Sequence, residues 1–252
     1  FMFSALLPKL IYLTSVTGET IMSLQNKSSG FIVKSDSTPL TQADNASHNL
    51  ITDALEKITP DIPILSEESK ETSFSVREKW QKYWLIDPLD GTRNFIEGSK
   101  EFCINIAFIE NNYPVFGLIY SPSMKAHYYR LPQQESIKLI DNVAHKICTK
   151  KPKRWEKIVF GKYSQNNKQL QQHLRSKTNF ETFRLGSALK FCFIAEGIYH
   201  YYPKFGKCSE WDTAAGVCIL EGAGGKILDL QGQPLKYNTK EDTTSSKFIA
   251  SA

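Results

Sequence analysis

The five cysteines, at positions 103, 148, 192, 208 and 218, include no Cys-x-x-Cys pair, and their number is odd. That points to free thiols in a reducing cytoplasm. The five histidines (His48, His127, His145, His173 and His200) never stand at i, i+4, which argues against a histidine-based zinc site. Any metal must rest on carboxylates. No uninterrupted apolar run approaches the roughly 18 residues of a membrane span, and the opening stretch from Phe1 to Leu13 is broken by Pro8 and Lys9. A basic leader and a small-residue cleavage site are also missing, so no signal peptide is expected. Neither an internal repeat nor a low-complexity segment is present.

The 252 residues suit one large domain or two tightly packed ones, and a hydrophobic content of 41% is enough for a sizeable core. The net charge of +5, from 31 Lys plus Arg against 26 Asp plus Glu, is compatible with an anionic small molecule and does not demand nucleic acid. The densest basic run, from Lys146 to Lys157 with Lys-Lys-Pro-Lys-Arg at 150–154, reads as a solvated linker.

Leu6, Leu10, Leu13 and Ile21 are spaced for an amphipathic helix from Ala5 to Leu24. Ser28-Ser29-Gly30 breaks it, Phe31 to Lys34 reads as a short strand, and Asp36-Ser37-Thr38-Pro39 as a turn. Leu50, Ile51, Ala54, Leu55 and Ile58 predict a second helix from about Thr41 to Lys57. Asp44, three residues after Thr41, fits the second half of a capping-box-like pair. Strands at 102–109, 115–120 and 126–129 form an antiparallel meander, with turns at Glu110-Asn111-Asn112 and Ser121-Pro122-Ser123. Beyond Lys153, strands at 158–160 and 226–230 alternate with helices near 167–174, 188–196 and 213–221, predicting a smaller α/β unit. The division expected is 1–150, an α+β domain, and 151–252, an α/β domain.

The chain is organised around Trp84-Leu85-Ile86-Asp87-Pro88-Leu89-Asp90-Gly91-Thr92-Arg93-Asn94-Phe95-Ile96. Its apolar start reads as the end of a buried strand, and Pro88 and Gly91 then force a turn carrying Asp87 and Asp90. Two carboxylates held this close repel unless a proton, an Arg or a divalent cation lies between them, and an oxygen-only set favours a hard ion such as Mg²⁺. An acidic surface turn is the plainer reading of Asp-x-x-Asp alone. Glu67-Glu68, after the apolar Ile62 to Leu65, matter only if the fold brings them to that turn. Gly186-Ser187 opens one helix, whose free N–H groups make a phosphate seat with Lys190 one turn in, and Asp212 is an N-cap candidate for another.

Taken in order, Glu67-Glu68-Ser69, Asp87-Pro88-Leu89-Asp90-Gly91-Thr92, Gly186-Ser187-Ala188 and Trp211-Asp212-Thr213-Ala214-Ala215-Gly216 resemble the inositol monophosphatase superfamily of Mg²⁺-dependent, lithium-sensitive phosphatases. The resemblance spans Ser37-Thr38-Pro39-Leu40-Thr41 through Gly224-Gly225. Within it the chain is most similar to the bacterial 3'(2'),5'-bisphosphate nucleotidases, through Asp61 to Glu68, Trp80 to Trp84, Leu189-Lys190-Phe191-Cys192, Ala195-Glu196-Gly197 and Tyr202 to Gly206. Lys190 is the main discriminator, since a second phosphate needs its own cation.

The resemblance implies a layered αβαβα sandwich, with most metal ligands in the first domain and Asp212 and the substrate contacts in the second. It implies that Glu67, Asp87 and the Leu89 carbonyl bind one Mg²⁺, that Asp87, Asp90 and Asp212 bind a second, and that Glu67 also holds a third, looser ion. It makes the Thr92 hydroxyl, oriented by Asp44, the group that positions or deprotonates the attacking water, and turns the Gly91 and Thr92 N–H groups toward the phosphate. Ser187, Lys190 and Lys204 would hold the other phosphate or the ribose, with Tyr202 or Phe205 as base contacts.

The implied reaction is hydrolysis of adenosine 3',5'-bisphosphate to AMP, recycling a by-product of sulfate assimilation in the cytoplasm. Peripheral association with the cytoplasmic face of the inner membrane is implied by the resemblance alone. The chain departs from the nucleotidase pattern at Arg93-Asn94, at Gly161-Lys162-Tyr163-Ser164, and at Lys204, where relatives tend to carry Arg; Lys cannot grip phosphate in the bidentate manner of Arg, so weaker nucleotide affinity is expected. Inositol monophosphatase or dual activity is the alternative within enzymes, and a non-catalytic nucleotide-binding regulator the alternative from another class. The oligomeric state is left open.

Overall fold

The computed structural model describes residues 2–26, 30–34 and 39–252. The expected break at Ser28-Ser29 and the turn at Asp36-Ser37-Thr38 lie outside them. The chain begins with α1 (Met2–Asn26), then a two-stranded ribbon of β1 (Ile32–Val33) and β2 (Pro39–Leu40), then α2 (Gln42–Ile58). β3 (Ile64–Ser66), α3 (Phe74–Arg77), β4 (Lys82–Asp90) and α4 (Thr92–Ile96) follow. The meander is β5 (Cys103–Glu110), β6 (Tyr113–Ser121) and β7 (Ala126–Arg130), continued by β8 (Ile137–Ile140) and β9 (Val143–Lys146). The remainder is β10 (Glu156–Phe160), α5 (Lys168–Arg175), β11 (Phe180–Arg184), α6 (Leu189–Ala195), β12 (Tyr201–Lys204), α7 (Ala214–Gly222), β13 (Lys226–Asp229) and β14 (Phe248–Ser251).

β3 to β9 form a seven-stranded sheet in chain order, antiparallel except for the β3–β4 pair. The other five strands form a mixed sheet in the order β11-β10-β12-β14-β13. α1 and α2 bury Leu6, Leu10, Ile21, Ile51 and Leu55 against one face of the large sheet, where Trp84, Ile86, Phe108 and Phe116 meet them. α6 and α7 fill the space between the sheets, in a core shared by Leu85, Ile119 and Tyr128 on one side and Val159, Tyr202, Ile227 and Phe248 on the other. α5 closes the outer face with Leu170 on Ile158 and Phe160. The result is five layers, αβαβα, because each sheet has two apolar faces to cover and each helix one or two.

Both long N-terminal helices form where their apolar spacing predicts, α1 running through Pro8 and α2 capped by Thr41. Leu50 is a correction: it points outward, 38% exposed, and the buried stripe of α2 is carried by Ala43, Ser47, Ile51 and Leu55. The strand does not end at Ile86; β4 runs on to Asp90. The basic run stays exposed from Lys150 to Trp155 as the passage between sheets, but its first part, His145-Lys146, belongs to β9. Among the described residues no helix is long and apolar enough to cross a membrane.

Candidate active site

Residues three apart on a regular strand point to opposite faces, so Asp87 and Asp90 could not cooperate on an ideal β4. The register supplies the correction. Asp87 pairs with Asn105 and Asp90 with Cys103, so two residues of β4 oppose one of β5 and the strand bulges at Pro88-Leu89. Pro88 suits the bulge because it has no N–H to leave unpaired, and its carbonyl accepts the Ser47 hydroxyl of α2 at 2.6 Å. Gly91 then turns the chain at φ 92, where an added Cβ would meet the Glu101 carbonyl at 2.9 Å. The two aspartates therefore sit on a bulged strand rather than on a free turn.

Asp212 arrives from the other sheet's side, in the 3-10 turn Glu210–Asp212 that leads into α7. Carboxylate oxygens of Asp87, Asp90 and Asp212 all lie within 4.8 Å of one another. Glu67, whose N–H donates to the Ile86 carbonyl at 3.1 Å, brings its charge to bear on Asp87 at the edge of this trio. Burial, then the charges of Glu67, Asp90 and Asp212, push the Asp87 carboxyl well above its ordinary value. Burial and Asp212 raise Asp90 to about 6 against the pull of Lys190, the Ala188 N–H and Asn105. Burial raises Glu67 to about 7 although Lys34 opposes it. Asp212 is raised by burial too, and held down by the Ser209 N–H and Lys204. These are carboxylates short of positive charge, with oxygen donors only, and that donor set fits a hard divalent cation.

Thr92, first residue of α4, donates its hydroxyl to Asp44 Oδ1 at 2.9 Å, with the Leu89 carbonyl at 3.2 Å. Asp44 also completes the capping box of α2, its Oδ2 accepting the Thr41 N–H at 2.8 Å and the Thr41 hydroxyl. The structural and site readings of Asp44 thus describe one side chain with two oxygens.

The loop before α6 differs from the phosphate seat expected of it. The Ala188 N–H donates to Asp90 Oδ2 at 2.6 Å and the Gly186 N–H to Glu101 Oε2 at 2.8 Å, so these amides serve carboxylates of the protein itself. Lys190 Nζ donates to the Leu185 carbonyl at 3.1 Å and the Ser187 carbonyl at 2.6 Å, over the Tyr202 ring at 5.0 Å. Burial and Lys204 lower Lys190 to about 8. A cleft of ≈ 190 Å³ opens from Asp90 and Asp212 past Ser187, Lys190, Tyr202 and Lys204 to a rim at Lys162, Tyr163 and Lys207. Phe205 is a correction: it packs beside His173, ring centroids 5.3 Å apart, with the outer core, and does not line the cleft.

Sequence reasoning missed three neighbours of the cluster. Lys34 Nζ pairs with Glu67 Oε1 at 3.0 Å and with Glu68. Asn105 Nδ2 donates to Asp90 Oδ2 at 3.2 Å, and Glu101 holds the α6 loop. Only Asn105 left a signal, as an amide inside the otherwise apolar run Cys103-Ile104-Asn105-Ile106-Ala107-Phe108.

Residues 10–251 match the model of the inositol monophosphatase family. The chain is 38% identical to the 3'(2'),5'-bisphosphate nucleotidase CysQ of Salmonella typhimurium, over 96% of this chain and 98% of that one. It is 36% identical to the enzyme of the same name from Escherichia coli K12, over 98% and 99%. Among solved structures, CysQ of Bacteroides thetaiotaomicron superposes with a TM-score of 0.83 at 32% identity, covering 95% and 93% of the two chains. An IMPase from Thermotoga maritima gives 0.81 at 25% identity, covering 97% and 91%.

Proposed function

The chain belongs to the inositol monophosphatase family, and on that premise we propose that it is a Mg²⁺-dependent 3'(2'),5'-bisphosphate nucleotidase that hydrolyses adenosine 3',5'-bisphosphate to AMP and phosphate. The observation that carries this reading is the polarity of one cleft. Its inner end is acidic, at Asp90 and Asp212, and its walls and rim carry Lys162, Lys190, Lys204 and Lys207. Lys162 is already paired with Glu97 Oε2 at 2.8 Å, so a substrate with a single phosphate satisfies the inner end and leaves Lys190, Lys204 and Lys207 without a phosphate to hold. One with two phosphates satisfies both.

Glu67, Asp87, the Leu89 carbonyl, Asp90 and Asp212 would hold two Mg²⁺ ions, with Glu67 available to a third. When bound, the ions supply acidity to water and neutralise charge on the leaving oxygen. The rest falls to the protein. Thr92 accepts a hydrogen bond from the attacking water while its own proton stays directed at Asp44, whose carboxyl is raised by burial and is the proton acceptor at the end of that path. The Gly91 and Thr92 N–H groups face the phosphate being cleaved. Lys190 spends two of its three N–H groups on carbonyls, leaving the third for the non-reacting phosphate, with Ser187 and Lys204 beside it. Tyr202 forms the floor beneath Lys190.

The five free cysteines suit a reducing cytoplasm. Phosphate release from adenosine 3',5'-bisphosphate and from inositol 1-phosphate, each with and without Mg²⁺, tests the reading. The nucleotide is expected to be hydrolysed with the higher kcat/KM and only with the cation. Preference for inositol 1-phosphate would make the lysine wall irrelevant to specificity, and tight nucleotide binding without turnover would make the protein a regulator.

A further inference from the structure

We propose that Arg77, Asn238 and Glu210 form a buried strut that fixes the Asp212 turn relative to the segment bearing Glu67, Asp87 and Asp90, and thereby sets the affinity of the carboxylate cluster for a divalent cation. The inference rests on the cation-binding reading of that cluster and adds positioning residues to it.

Arg77 closes α3, in the connection between the β3 strand that precedes Glu67 and the β4 strand that carries Asp87 and Asp90. Asn238 and Glu210 belong to the C-terminal part of the chain, 161 and 133 positions away. All three are nearly inaccessible, at 2%, 3% and 2% exposure. The Arg77 guanidinium donates Nη1 to Asn238 Oδ1 at 2.6 Å, Nη2 to the carbonyls of Lys240, at 3.1 Å, and Glu241, and Nε to the Thr72 carbonyl at 3.2 Å. Asn238 answers with Nδ2 to the Arg77 carbonyl at 2.5 Å, so the two residues grip each other reciprocally. The Asn238 N–H then reaches both oxygens of Glu210, at 3.1 and 3.0 Å.

Glu210 is the first residue of the turn that ends in Asp212. Its N–H donates to the Thr243 carbonyl at 2.8 Å, and the Ser209 N–H donates to Asp212 Oδ2 at 2.6 Å. The segment 237–243, which has no helix or strand of its own, is thus tied to the turn on one side and to Arg77 on the other. Asn112 adds a second tie, its Nδ2 meeting the Tyr237 carbonyl at 2.7 Å.

Burying a guanidinium and a carboxylate is expensive, and it is tolerated where every donor and acceptor has a partner. What such a network supplies is geometry. A cation cage tolerates ligand displacements of only about 0.5 Å, and of its side-chain ligands Asp212 alone comes from the far side of the fold. The apolar core between the sheets holds the layers together but does not dictate how far the tip of the Glu210–Asp212 turn leans toward β4. The Arg77 to Glu210 chain of directional bonds does.

The test uses the full chain. Mn²⁺ binding to the substrate-free protein is measured by calorimetry, and the Mg²⁺ dependence of phosphate release from adenosine 3',5'-bisphosphate is measured alongside, for wild type, Arg77→Lys, Asn238→Gly and Glu210→Gln. Asn238→Gly keeps the backbone N–H to Glu210 and the left-handed φ of 56°, so it removes the side-chain grip with the least damage to the fold. Arg77→Lys and Asn238→Gly are expected to weaken Mn²⁺ binding and raise the half-saturating Mg²⁺ about 10–100-fold. The kcat at saturating Mg²⁺ should stay within about twofold of wild type, the cage being distorted rather than dismantled. Glu210→Gln, which keeps an acceptor for the Asn238 N–H, should retain near-wild-type affinity. A lowered melting temperature with unchanged Mn²⁺ affinity in both Arg77→Lys and Asn238→Gly would overturn the strut and leave the cation site standing. A wild-type protein that binds no Mn²⁺ would remove the reading beneath it as well.

Discussion

Asp44 is only 2% exposed and has three hydrogen-bond donors around it, two from Thr41 and one from Thr92. Losing the Thr92 hydroxyl leaves the two that cap the helix. Thr92→Ala is therefore expected to lower kcat by about 10²-fold or more while shifting stability by less than ~1 kcal/mol, the net worth of one hydrogen bond. Thr92→Ser should recover most of the rate. Steady-state kinetics and thermal unfolding check both, and a Thr92→Ala enzyme with near-normal kcat would take Thr92 out of the reaction. Glu67, Asp87, Asp90, Thr92 and Asp212 were legible because each belongs to a short local string whose turn chemistry announces it. Lys34, Glu101 and the Arg77–Asn238 pair were not. Their partners lie 33, 85 and 161 positions away, and a lysine, a glutamate or an arginine facing inward looks in the sequence like one facing water.

Elements buried on one regular face were read correctly, and those whose pattern is neither helical nor alternating were lost. β8 is half-buried throughout and β9 exposed throughout, so neither shows the alternation that marks a strand, although Asp141-Asn142 between them adopts the paired positive φ values, 50° and 59°, of a tight hairpin turn. β11, reading Phe-Glu-Thr-Phe-Arg, is mostly outside, and β12 contains Pro203. β14 does alternate, with Phe248 and Ala250 buried and Ile249 and Ser251 half-buried, but its string Phe-Ile-Ala-Ser is only four residues long and does not show that alternation in the sequence. The bulge in β4 was hidden for a related reason: it depends on what β5 offers opposite. One close approach between elements can be tested singly. α7 lies so near β6 that a Cβ on Gly117 would fall 2.7 Å from the Ala215 carbonyl and 2.9 Å from the Cys218 Cβ. Gly117→Ala should push α7 off the sheet, costing about 1–3 kcal/mol of stability. Denaturant unfolding reads the loss, and an unchanged midpoint would show that the helix has room to move.

Over the whole molecule, the fold gathers acids from both halves of the chain into a buried place, and burial first, with their mutual repulsion behind it, keeps protons on them. Glu67 is pushed up to about 7 and Asp90 to about 6 from ordinary values of 4.5 and 3.8. A carboxyl with a raised folded-state value stabilises the cation-free fold below the ordinary value and loses that contribution as pH rises through about 6 to 7. A cation must displace the same protons. Cation binding should therefore tighten as pH rises through about 6 to 7, releasing protons on the way, and the melting-temperature gain on adding Mg²⁺ should be larger at pH 8 than at pH 5.5. Calorimetry in buffers of different ionisation enthalpy measures the proton release, and its absence near pH 6.5 would contradict these assignments. The most direct measurement is the position of Mn²⁺ in crystals of the protein, read from its anomalous scattering. The account predicts ions bound by Asp87 together with Glu67, Asp90 and Asp212; a protein that turns over the nucleotide with Mn²⁺ bound elsewhere, or with no ion touching Asp87, would contradict it.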